Sequence, residues 1–137
     1  MKRFIIKTDG GARGNPGPAG IGVVIWDSHD QIVFEHGSYI GQTTNNVAEY
    51  SALLKALETA RDMNATHLDI FMDSELIVKQ MLGQYKIKEP TLQKLAAEAL
   101  KLKNNFQAVT FAHVPREQNR DADKMVNKAL DEQARLG

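Results

Sequence analysis

The spacing of hydrophobic residues divides the first third of the chain into strands and turns. Short apolar runs over Phe4–Thr8, Ile21–Trp26 and Ile32–Ile40 are bounded by turn-forming residues, which is typical of β-strands. Between the first two runs, Gly11–Gly20 holds two of the four prolines and is rich in glycine, so we predict a tight loop there. Asp27–Asp30 suits a hairpin turn between the second and third strands.

From Asn46 onward the apolar period becomes helical. Hydrophobic residues recur every three or four positions up to about Met63, which predicts a long amphipathic helix. Capping residues and glycine or proline boundaries then separate shorter elements. These are a strand over Leu68–Met72, a helix from Asp73 or Ser74 to Leu82 that Gly83 ends, a helix from Pro90, a strand over Val109–Val114 and a last helix from Asn119.

This order of elements predicts an α/β fold in one domain, residues 1–137. The first three strands follow one another directly, so we expect an antiparallel meander. The two later strands are each reached through helices, and we expect them to add in parallel. The resulting five-stranded mixed sheet, with three antiparallel and two parallel strands, should carry helices on both faces.

Composition narrows the possible chemistry only slightly. Seventeen basic residues balance seventeen acidic ones, so no strong overall field attracts polyanions. The absence of cysteine excludes disulfides, thiolate metal sites and cysteine nucleophiles. No apolar run is long enough for a signal peptide or a membrane helix, and a cytoplasmic location without membrane contact is our default. We expect a monomer.

Four carboxylates stand where they could meet. Asp9 and Asp73 end the first and fourth strands, which emerge at the same edge if the strands are parallel neighbours. Glu49 and Asp123 lie in the first turns of two helices. Acids gathered at one place repel one another unless a cation lies between them, and oxygen-only ligands select hard cations such as Mg²⁺.

Each acid also has a purely structural explanation. Asp9 before a glycine is a common turn residue, and Asp73 could cap the helix that follows it. Glu49, three residues after Asn46, resembles the acid of a capping box. Asp123 could favour a helix N-terminus electrostatically. Taken one at a time, the structural explanations are the simpler ones, and only convergence of the acids would favour a metal site.

Four motifs resemble those of type 1 ribonuclease H, in the compact form seen in bacteria and archaea. They occur in the family's order and spacing and span nearly the whole chain. A glycine-rich loop alone would be a weak signal, whereas the combination is specific. The matching stretches are Thr8–Gly20 (TDGGARGNPGPAG), Thr44–Tyr50 (TNNVAEY), Met72–Glu75 (MDSE) and His113–Asp123 (HVPREQNRDAD).

The resemblance implies an endonuclease that cuts the RNA strand of RNA–DNA hybrids. It implies that Asp9, Glu49, Asp73 and Asp123 hold two Mg²⁺ ions, with Mn²⁺ as a substitute. It also implies products that end in 5′-phosphate and 3′-hydroxyl groups. The hybrid is the expected partner, and double-stranded RNA is a second candidate substrate.

Short polar groups near the acids are the candidate substrate contacts, because the wide minor groove of A-like duplexes displays 2′-hydroxyls. The resemblance implies that Asn15 and Asn45 face the duplex and that Thr44 helps to seat a DNA phosphate. Loop and cap chemistry is the alternative for these residues. For Lys86 and Lys88, which could contact phosphates, a solvated loop is the plainer explanation. The full candidate set is Gly10, Gly11, Asn15, Thr44, Asn45, Asn46, Lys86, Lys88 and Asn119.

The chain departs from the best-known bacterial form in two respects. It has no tryptophan-rich basic protrusion between the third and fourth motifs, and its single tryptophan, Trp26, is expected in the core. We therefore expect weaker, more salt-sensitive binding. The family often has a histidine before the last acid that assists proton transfer or product release. His113 stands at one such place in this sequence, but the pattern predicts that it lies within a strand. Arg116 is the favoured alternative, because it can stabilise phosphate charge although it stays protonated.

Three other functions fit parts of the sequence. A module that binds hybrids or double-stranded RNA without cutting would share the same surface. A nuclease or resolvase of the same fold that acts on DNA would share the acids, although the paired Asn45 and Asn46 favour a hybrid. A nucleotide-binding loop over residues 10–17 is the weakest alternative, because the segment lacks the Gly-Lys-Ser/Thr ending of a P-loop.

Overall fold

The computed structural model describes residues 1–137. Five strands and four α-helices follow one another in the predicted order. A single 3₁₀ turn, Arg116–Gln118, precedes the last helix. The elements are β1 (Arg3–Ala12), β2 (Gly17–Trp26), β3 (Ile32–Thr43), α1 (Asn45–Asp62), β4 (His67–Met72), α2 (Glu75–Met81), α3 (Pro90–Lys103), β5 (Ala108–His113) and α4 (Arg120–Leu136).

The strands form one mixed sheet in the order β3-β2-β1-β4-β5. The β1–β2 and β2–β3 pairs are antiparallel, and the β1–β4 and β4–β5 pairs are parallel. The predicted α/β fold with an antiparallel meander and two parallel additions is confirmed. In the β1–β4 register Thr8 pairs with Met72, so Asp9, still within β1, and Asp73, just after β4, each follow a paired residue and lie at the same end of the two strands.

The predicted loop over Gly11–Gly20 is wrong in extent. The β1–β2 pairing continues through Gly11–Gly20 and Ala12–Ala19, so only residues 13–16 connect the two strands. Small residues are needed in these strands because helices cross them closely. A Cβ on Gly22 would lie 2.2 Å from the Ala122 carbonyl oxygen of α4. Glycine therefore marks close packing here as well as a turn.

Helices cover both faces of the sheet, as predicted. On one face α1 packs against β1 and β2, α3 packs against α1, and α2 packs against β5, around a cluster of 22 buried residues that includes Ile6, Leu57 and Ile70. On the other face α4 buries an apolar stripe against β2, with Leu130 above Gly20. Burial of each large apolar side chain contributes about 1.5–3 kcal/mol to the free energy of unfolding. The strands and helices that carry the acids are therefore held by a well-packed core.

The helix boundaries follow local chemistry. Pro90 occupies the first turn of α3, and the Glu89 carboxylate accepts from the Thr91 and Leu92 amides. Gly83, at φ 75°, lies in the left-handed region just after α2, where the sequence predicts a stop. None of the helices is long and apolar enough to cross a membrane. Trp26 is only half-buried and lies under the Lys7 ammonium group, so its expected place in the core is corrected.

Candidate active site

Three acidic side chains meet at the edge of the sheet where β1 and β4 end. Asp9 lies near the end of β1, Asp73 directly follows β4, and Glu49 projects from the fifth residue of α1. One carboxylate oxygen of each lies within 4.8 Å of one from each of the others. Asp9 and Glu49 are buried, and Asp73 is half-buried. The parallel register of β1 and β4 creates this convergence.

Other residues perform the structural tasks that could have explained these acids. Ser74 caps α2, because its hydroxyl accepts from the Ile77 amide at 3.3 Å. Thr44 caps α1, because its hydroxyl accepts from the Val47 amide at 3.2 Å. Asp9 lies inside a strand and not in a turn. The carboxylates of Asp9, Glu49 and Asp73 are therefore not needed to start a helix or close a turn.

The backbone of Gly10 joins two of the acids. Its amide donates to Asp9 Oδ1 at 3.0 Å and to Glu49 Oε1 at 3.2 Å. This bifurcated contact requires β1 and α1 to approach very closely, and a Cβ on Gly10 would lie 2.3 Å from the Ala48 carbonyl carbon. The absence of a side chain at residue 10 therefore sets the separation of Asp9 and Glu49.

Burial and mutual repulsion disfavour the charged forms of two carboxyl groups. Burial is the main cause that raises the pKa of Asp9 to about 7, and the charge of Asp73 adds to it. Burial, followed by the charge of Asp9, raises the pKa of Glu49 well above its usual range. A buried acid without a compensating cation behaves in this way. The site is electrostatically unsatisfied without a positive partner.

Two carboxylate oxygens lack any hydrogen-bond partner. Glu49 Oε2 and Asp73 Oδ2 are both buried and accept from no donor in the protein. Buried acceptors in native proteins nearly always have a partner, and hard divalent cations bind carboxylate oxygens. The unpaired oxygens, their spacing and the raised pKa values all fit a divalent metal ion held by Asp9, Glu49 and Asp73.

Asp123 lines the same cavity of about 340 Å³ but lies outside the tight group of three. It stands in the first turn of α4, as predicted, and its Oδ2 accepts from Asn127 Nδ2 at 3.2 Å. Its charge also contributes to the raised pKa of Asp9. Asp123 is therefore close enough to act on the same cavity from the opposite face of the sheet.

Of the two candidate assisting residues, Arg116 and His113, the acidic cavity is lined by one. Arg116 is exposed on the 3₁₀ turn and lines the cavity with the acids. His113 is the last residue of β5 and is exposed, but it does not line that cavity. The expectation that His113 is packed within the strand is corrected, since β5 is the edge strand and ends there. Of the two residues, Arg116 is the one placed beside the acids.

Asparagine side chains tie the β1–β2 connection to the start of α1. Asn45 Oδ1 accepts from the Ala12 amide at 2.7 Å, and Asn15 Oδ1 accepts from the Asn45 amide at 3.1 Å. Their oxygens thus serve loop and cap chemistry, while neither amide NH₂ has a partner within the protein. Gly10, Gly11, Asn45 and Asn46 line the cavity with the acids, and Asn15 and Thr44 line an adjoining hollow beside Glu89.

Three further candidate contacts lie elsewhere. Lys86 and Lys88 are exposed in the segment between α2 and α3, away from the acidic cavity. Asn119 is fully buried, and its Nδ2 donates to the Thr8 carbonyl oxygen at 2.9 Å. The expectation that Asn119 contacts substrate is corrected by this burial. The residue joins the strand that carries Asp9 to the helix that carries Asp123.

Sequence reasoning missed two polar residues of the cavity. Arg13 lies just after β1 and lines the cavity, where it pairs with Asp131 of α4. Asn127 lies one helical turn after Asp123 and lines the same wall. The spacing of Asp123 and Asn127 could have revealed the second residue. Nothing in the sequence indicates the contact between Arg13 and Asp131.

The strand order, the helices on both faces and the acids at one sheet edge define a ribonuclease H-like domain. A family model described as "Reverse transcriptase-like" matches residues 7–129. A ribonuclease H of Ruthia magnifica is 32% identical over 145 residues, which cover 96% of this chain and 97% of that protein. The chain belongs to the ribonuclease H family.

Solved structures agree in fold over nearly the whole chain. The N-terminal ribonuclease H domain of a Mycobacterium tuberculosis protein has a TM-score of 0.95 at 42% identity and covers 99% of both chains. The LC11 ribonuclease H1 in complex with an RNA/DNA hybrid has a TM-score of 0.91 at 50% identity and covers 96% of this chain and 99% of that one. These similarities match the compact type 1 form without a protrusion.

Some relatives are much longer than this chain. A bifunctional protein of Mycobacterium tuberculosis is 44% identical over 130 residues, which cover 94% of this chain but 36% of that protein. The chain thus spans about a third of the length of several curated relatives that it matches. The similarity concerns the ribonuclease H domain of these relatives.

Proposed function

We propose that the chain is an endonuclease that hydrolyses the RNA strand of RNA–DNA hybrids. Asp9, Glu49, Asp73 and Asp123 hold two Mg²⁺ ions, which Mn²⁺ can replace, and the products carry 5′-phosphate and 3′-hydroxyl ends. The observation that carries the proposal is the convergence of Asp9, Glu49 and Asp73 within 4.8 Å at the edge of a ribonuclease H-like sheet. Family membership supports the choice of reaction.

The bond changes follow from the proposed product ends. A water oxygen bonds to the scissile phosphorus, the bond from phosphorus to the 3′ oxygen breaks, and a proton passes to that leaving oxygen. When bound by the four carboxylates, paired divalent ions would supply an activated water and stabilisation of the leaving oxygen. The protein's own part is to hold the carboxylates in place, which the Gly10 amide and the β1–β4 register do.

Arg116 supplies a positive side chain beside the proposed reaction. It lines the acidic cavity and is exposed, so a phosphate bound over the acids lies within its reach. A guanidinium stays protonated and cannot take a proton from water. We assign Arg116 the role of stabilising negative charge on the phosphate and leave His113 without a part in the reaction.

Selectivity for RNA in a hybrid is assigned to small polar groups beside the acids. Gly11, Asn45 and Asn46 line the cavity, and the amide NH₂ of Asn45 has no partner within the protein. Such donors suit the 2′-hydroxyls in the minor groove of an A-like duplex. Asn15 and Thr44 line the adjoining hollow, where a DNA phosphate is the proposed occupant. A similar protein, LC11 ribonuclease H1, was solved with an RNA/DNA hybrid.

A cleavage assay with four end-labelled duplexes tests the proposal. RNA–DNA hybrid, DNA duplex, double-stranded RNA and a DNA duplex with one ribonucleotide are incubated with Mg²⁺ or Mn²⁺, and the product ends are mapped. Cleavage of the RNA strand of the hybrid, with 5′-phosphate ends and loss of activity in chelator, is expected. Binding of the hybrid without cleavage under either metal would show a binding module, and preference for the DNA duplex would show a DNA nuclease.

A matched variant on the same strand separates the site from the fold. Asp69, four residues before Asp73 on β4, accepts from the Thr110 hydroxyl at 2.8 Å and is not in the acidic group. Asp69→Asn makes the same chemical change as Asp73→Asn but leaves the cavity intact. The proposal requires hybrid cleavage to survive Asp69→Asn.

A further inference from the structure

The acidic cavity has a second arginine that neither the metal nor the proposed reaction uses. Arg13 lies in the four-residue connection after β1 and lines the cavity together with Asp9, Asp73 and Asp123. Its side chain is 45% exposed, and its Nη2 lies 2.7 Å from Asp131 Oδ1 of α4. The contact is through a single guanidinium nitrogen, so most of the N–H donors of Arg13 remain available.

The position of Arg13 is fixed by its backbone. The Arg13 amide donates to the Pro18 carbonyl oxygen at 2.8 Å, which closes the connection between β1 and β2. A Cβ on Gly17 would lie 2.2 Å from the Arg13 carbonyl oxygen, so the two sides of the connection are in tight contact. Asp131 then holds the side chain toward α4. Less rotamer freedom is lost when such a preorganised side chain binds a ligand.

Polar residues extend from the acids toward Arg13 along α4. Asp123, Asn127 and Asp131 are spaced four residues apart, so they lie on the same side of the helix. Asn127 Nδ2 donates to Asp123 Oδ2, and Asn127 also lines the cavity. The cavity wall therefore passes from a metal-binding acid, through an amide donor, to a guanidinium.

We propose that Arg13 binds a phosphate of the RNA strand next to the one that is cut, with Asp131 as the positioning carboxylate. This inference rests on the proposed function. Arg13 and Asn127 present N–H donors that match non-bridging phosphate oxygens. The acids beside them, without metal, would repel a phosphate. Arg13 and Arg116 are the basic residues that line the cavity.

The ion pair alone does not explain an arginine at this place. Both partners are largely exposed, at 45% and 67% of their side-chain surfaces. Exposed pairs contribute little to stability and are screened by salt. A phosphate contact predicts an effect on substrate binding that depends on salt, which a purely structural pair does not.

Salt-dependent binding of a labelled hybrid tests the inference. Affinity is measured by fluorescence anisotropy at several KCl concentrations with Mg²⁺, in the Asp73→Asn background that leaves the hybrid uncut. Arg13→Ala is expected to raise Kd about tenfold and to reduce the slope of log K against log salt by about one, the value for one lost phosphate contact. Arg13→Lys should keep the slope, because lysine keeps the positive charge. It should raise Kd less than Arg13→Ala does, because only the paired N–H donors of the guanidinium are lost.

Arg61 provides the matched control. Its side chain is also 45% exposed and paired with a carboxylate, Asp62, at 3.2 Å, but it lies in the last turn of α1 at the other end of the sheet. Arg61→Ala removes the same charge from the protein and should leave the salt slope unchanged. If Arg13→Ala and Arg61→Ala give the same slope and Kd, the inference is overturned.

A single neutral linkage locates the contact. Hybrids with one methylphosphonate at successive RNA positions are bound to Arg13→Ala and to the protein with Arg13. At one position near the cut, the neutral linkage should weaken binding only when Arg13 is present. An absence of such coupling at every RNA position, or coupling only on the DNA strand, would also overturn the inference. Failure of the proposed function is distinguishable from failure of this inference, because the unsubstituted protein would then not cut the hybrid.

Discussion

The amide nitrogen of Gly10 lies 3.2 Å from Oε1 of Glu49, 39 residues away along the chain. This hydrogen bond joins β1 directly to α1 without an intervening side chain. It exists because residue 10 carries no Cβ, which would otherwise lie 2.3 Å from the Ala48 carbonyl carbon and oxygen. The separation of Asp9 and Glu49, and so the size of the proposed metal site, depends on this contact.

We expect Gly10→Ala to destabilise the protein by about 3 kcal/mol or more and to abolish hybrid cleavage, because backbone atoms of α1 cannot move away as a flexible side chain could. Gly11→Ala is the control for stability alone, since a Cβ there would meet only Asn45 Oδ1 at 3.9 Å. Urea unfolding and cleavage rates measure both effects. Equal stability of the two variants would show that α1 shifts at little cost.

The raised carboxyl pKa values predict an unusual dependence of metal-free stability on pH. In the folded protein the pKa of Asp9 is about 7, against 3.8 for an ordinary aspartate, so the folded state binds more protons than the unfolded state between these values. The free energy of unfolding in chelator should therefore fall as the pH rises from about 4 to about 7. Glu49 shifts in the same direction, so its raised pKa adds to the fall.

Thermal melts in chelator at pH 5, 6, 7 and 8 measure this trend. Asp9→Asn removes one titrating group and should flatten the curve. Mg²⁺ should raise the melting temperature more at pH 8 than at pH 5, because the ligands must lose their protons to bind metal. A metal-free protein that gains stability from pH 5 to pH 7 would contradict the predicted repulsion among the acids.

Asp73→Asn should keep the fold and reduce hybrid cleavage to near the background rate. Asp73 follows β4 and caps no helix, so the loss of its charge removes a proposed metal ligand without removing a structural contact. The amide is a poor ligand for Mg²⁺ compared with a carboxylate. Circular dichroism and cleavage rates are compared with those of Asp69→Asn. Substantial activity of Asp73→Asn with an unchanged spectrum would remove Asp73 from the set of metal ligands.

Asn119 should act on the site through the backbone of β1. Its side chain is fully buried, and its Nδ2 donates to the Thr8 carbonyl oxygen, one residue before Asp9. Asn119→Ala leaves that carbonyl without its donor and should cost about 1–3 kcal/mol of stability. We also expect a lower kcat at an unchanged KM, since α4 carries Asp123.

Asn105→Ala is a suitable comparison for that variant. Asn105 Nδ2 donates to the Leu102 carbonyl oxygen at 2.9 Å in an exposed position far from the acids. Loss of this contact should change stability by only a few tenths of a kcal/mol. If Asn119→Ala raises KM and leaves kcat unchanged, Asn119 takes part in substrate binding in spite of its burial.

The sequence was sufficient for the element types and for a mixed sheet, because both follow from local patterns, whereas the convergence of the acids was predicted only on the condition that the first and fourth strands are parallel neighbours. Apolar periodicity located each element, and the parallel β1–β4 pairing then placed Asp9 beside Asp73. The extent of β1 and β2 was mispredicted because glycine favours both turns and close helix crossings. Only the packed fold shows that α4 crosses at Gly22. The burial of Asn119 and the pairing of Arg13 with Asp131 likewise depend on contacts more than 100 residues apart in the chain.

Arg116 and His113 should differ sharply in their effect on cleavage. Arg116 lines the acidic cavity, whereas His113 is exposed at the end of β5 outside it. Removal of one preorganised group that stabilises transition-state charge costs about 10²–10³ in rate, so Arg116→Ala should lower kcat by that factor and Arg116→Lys by less. His113→Ala should change kcat little.

The pH profile of kcat distinguishes the two roles further. An arginine stays protonated, so Arg116→Ala should lower the whole profile without shifting it. Loss of a working histidine would instead alter the profile between about pH 5 and 8. A large loss of kcat with a changed pH profile in His113→Ala, together with an active Arg116→Ala, would reverse the assignment.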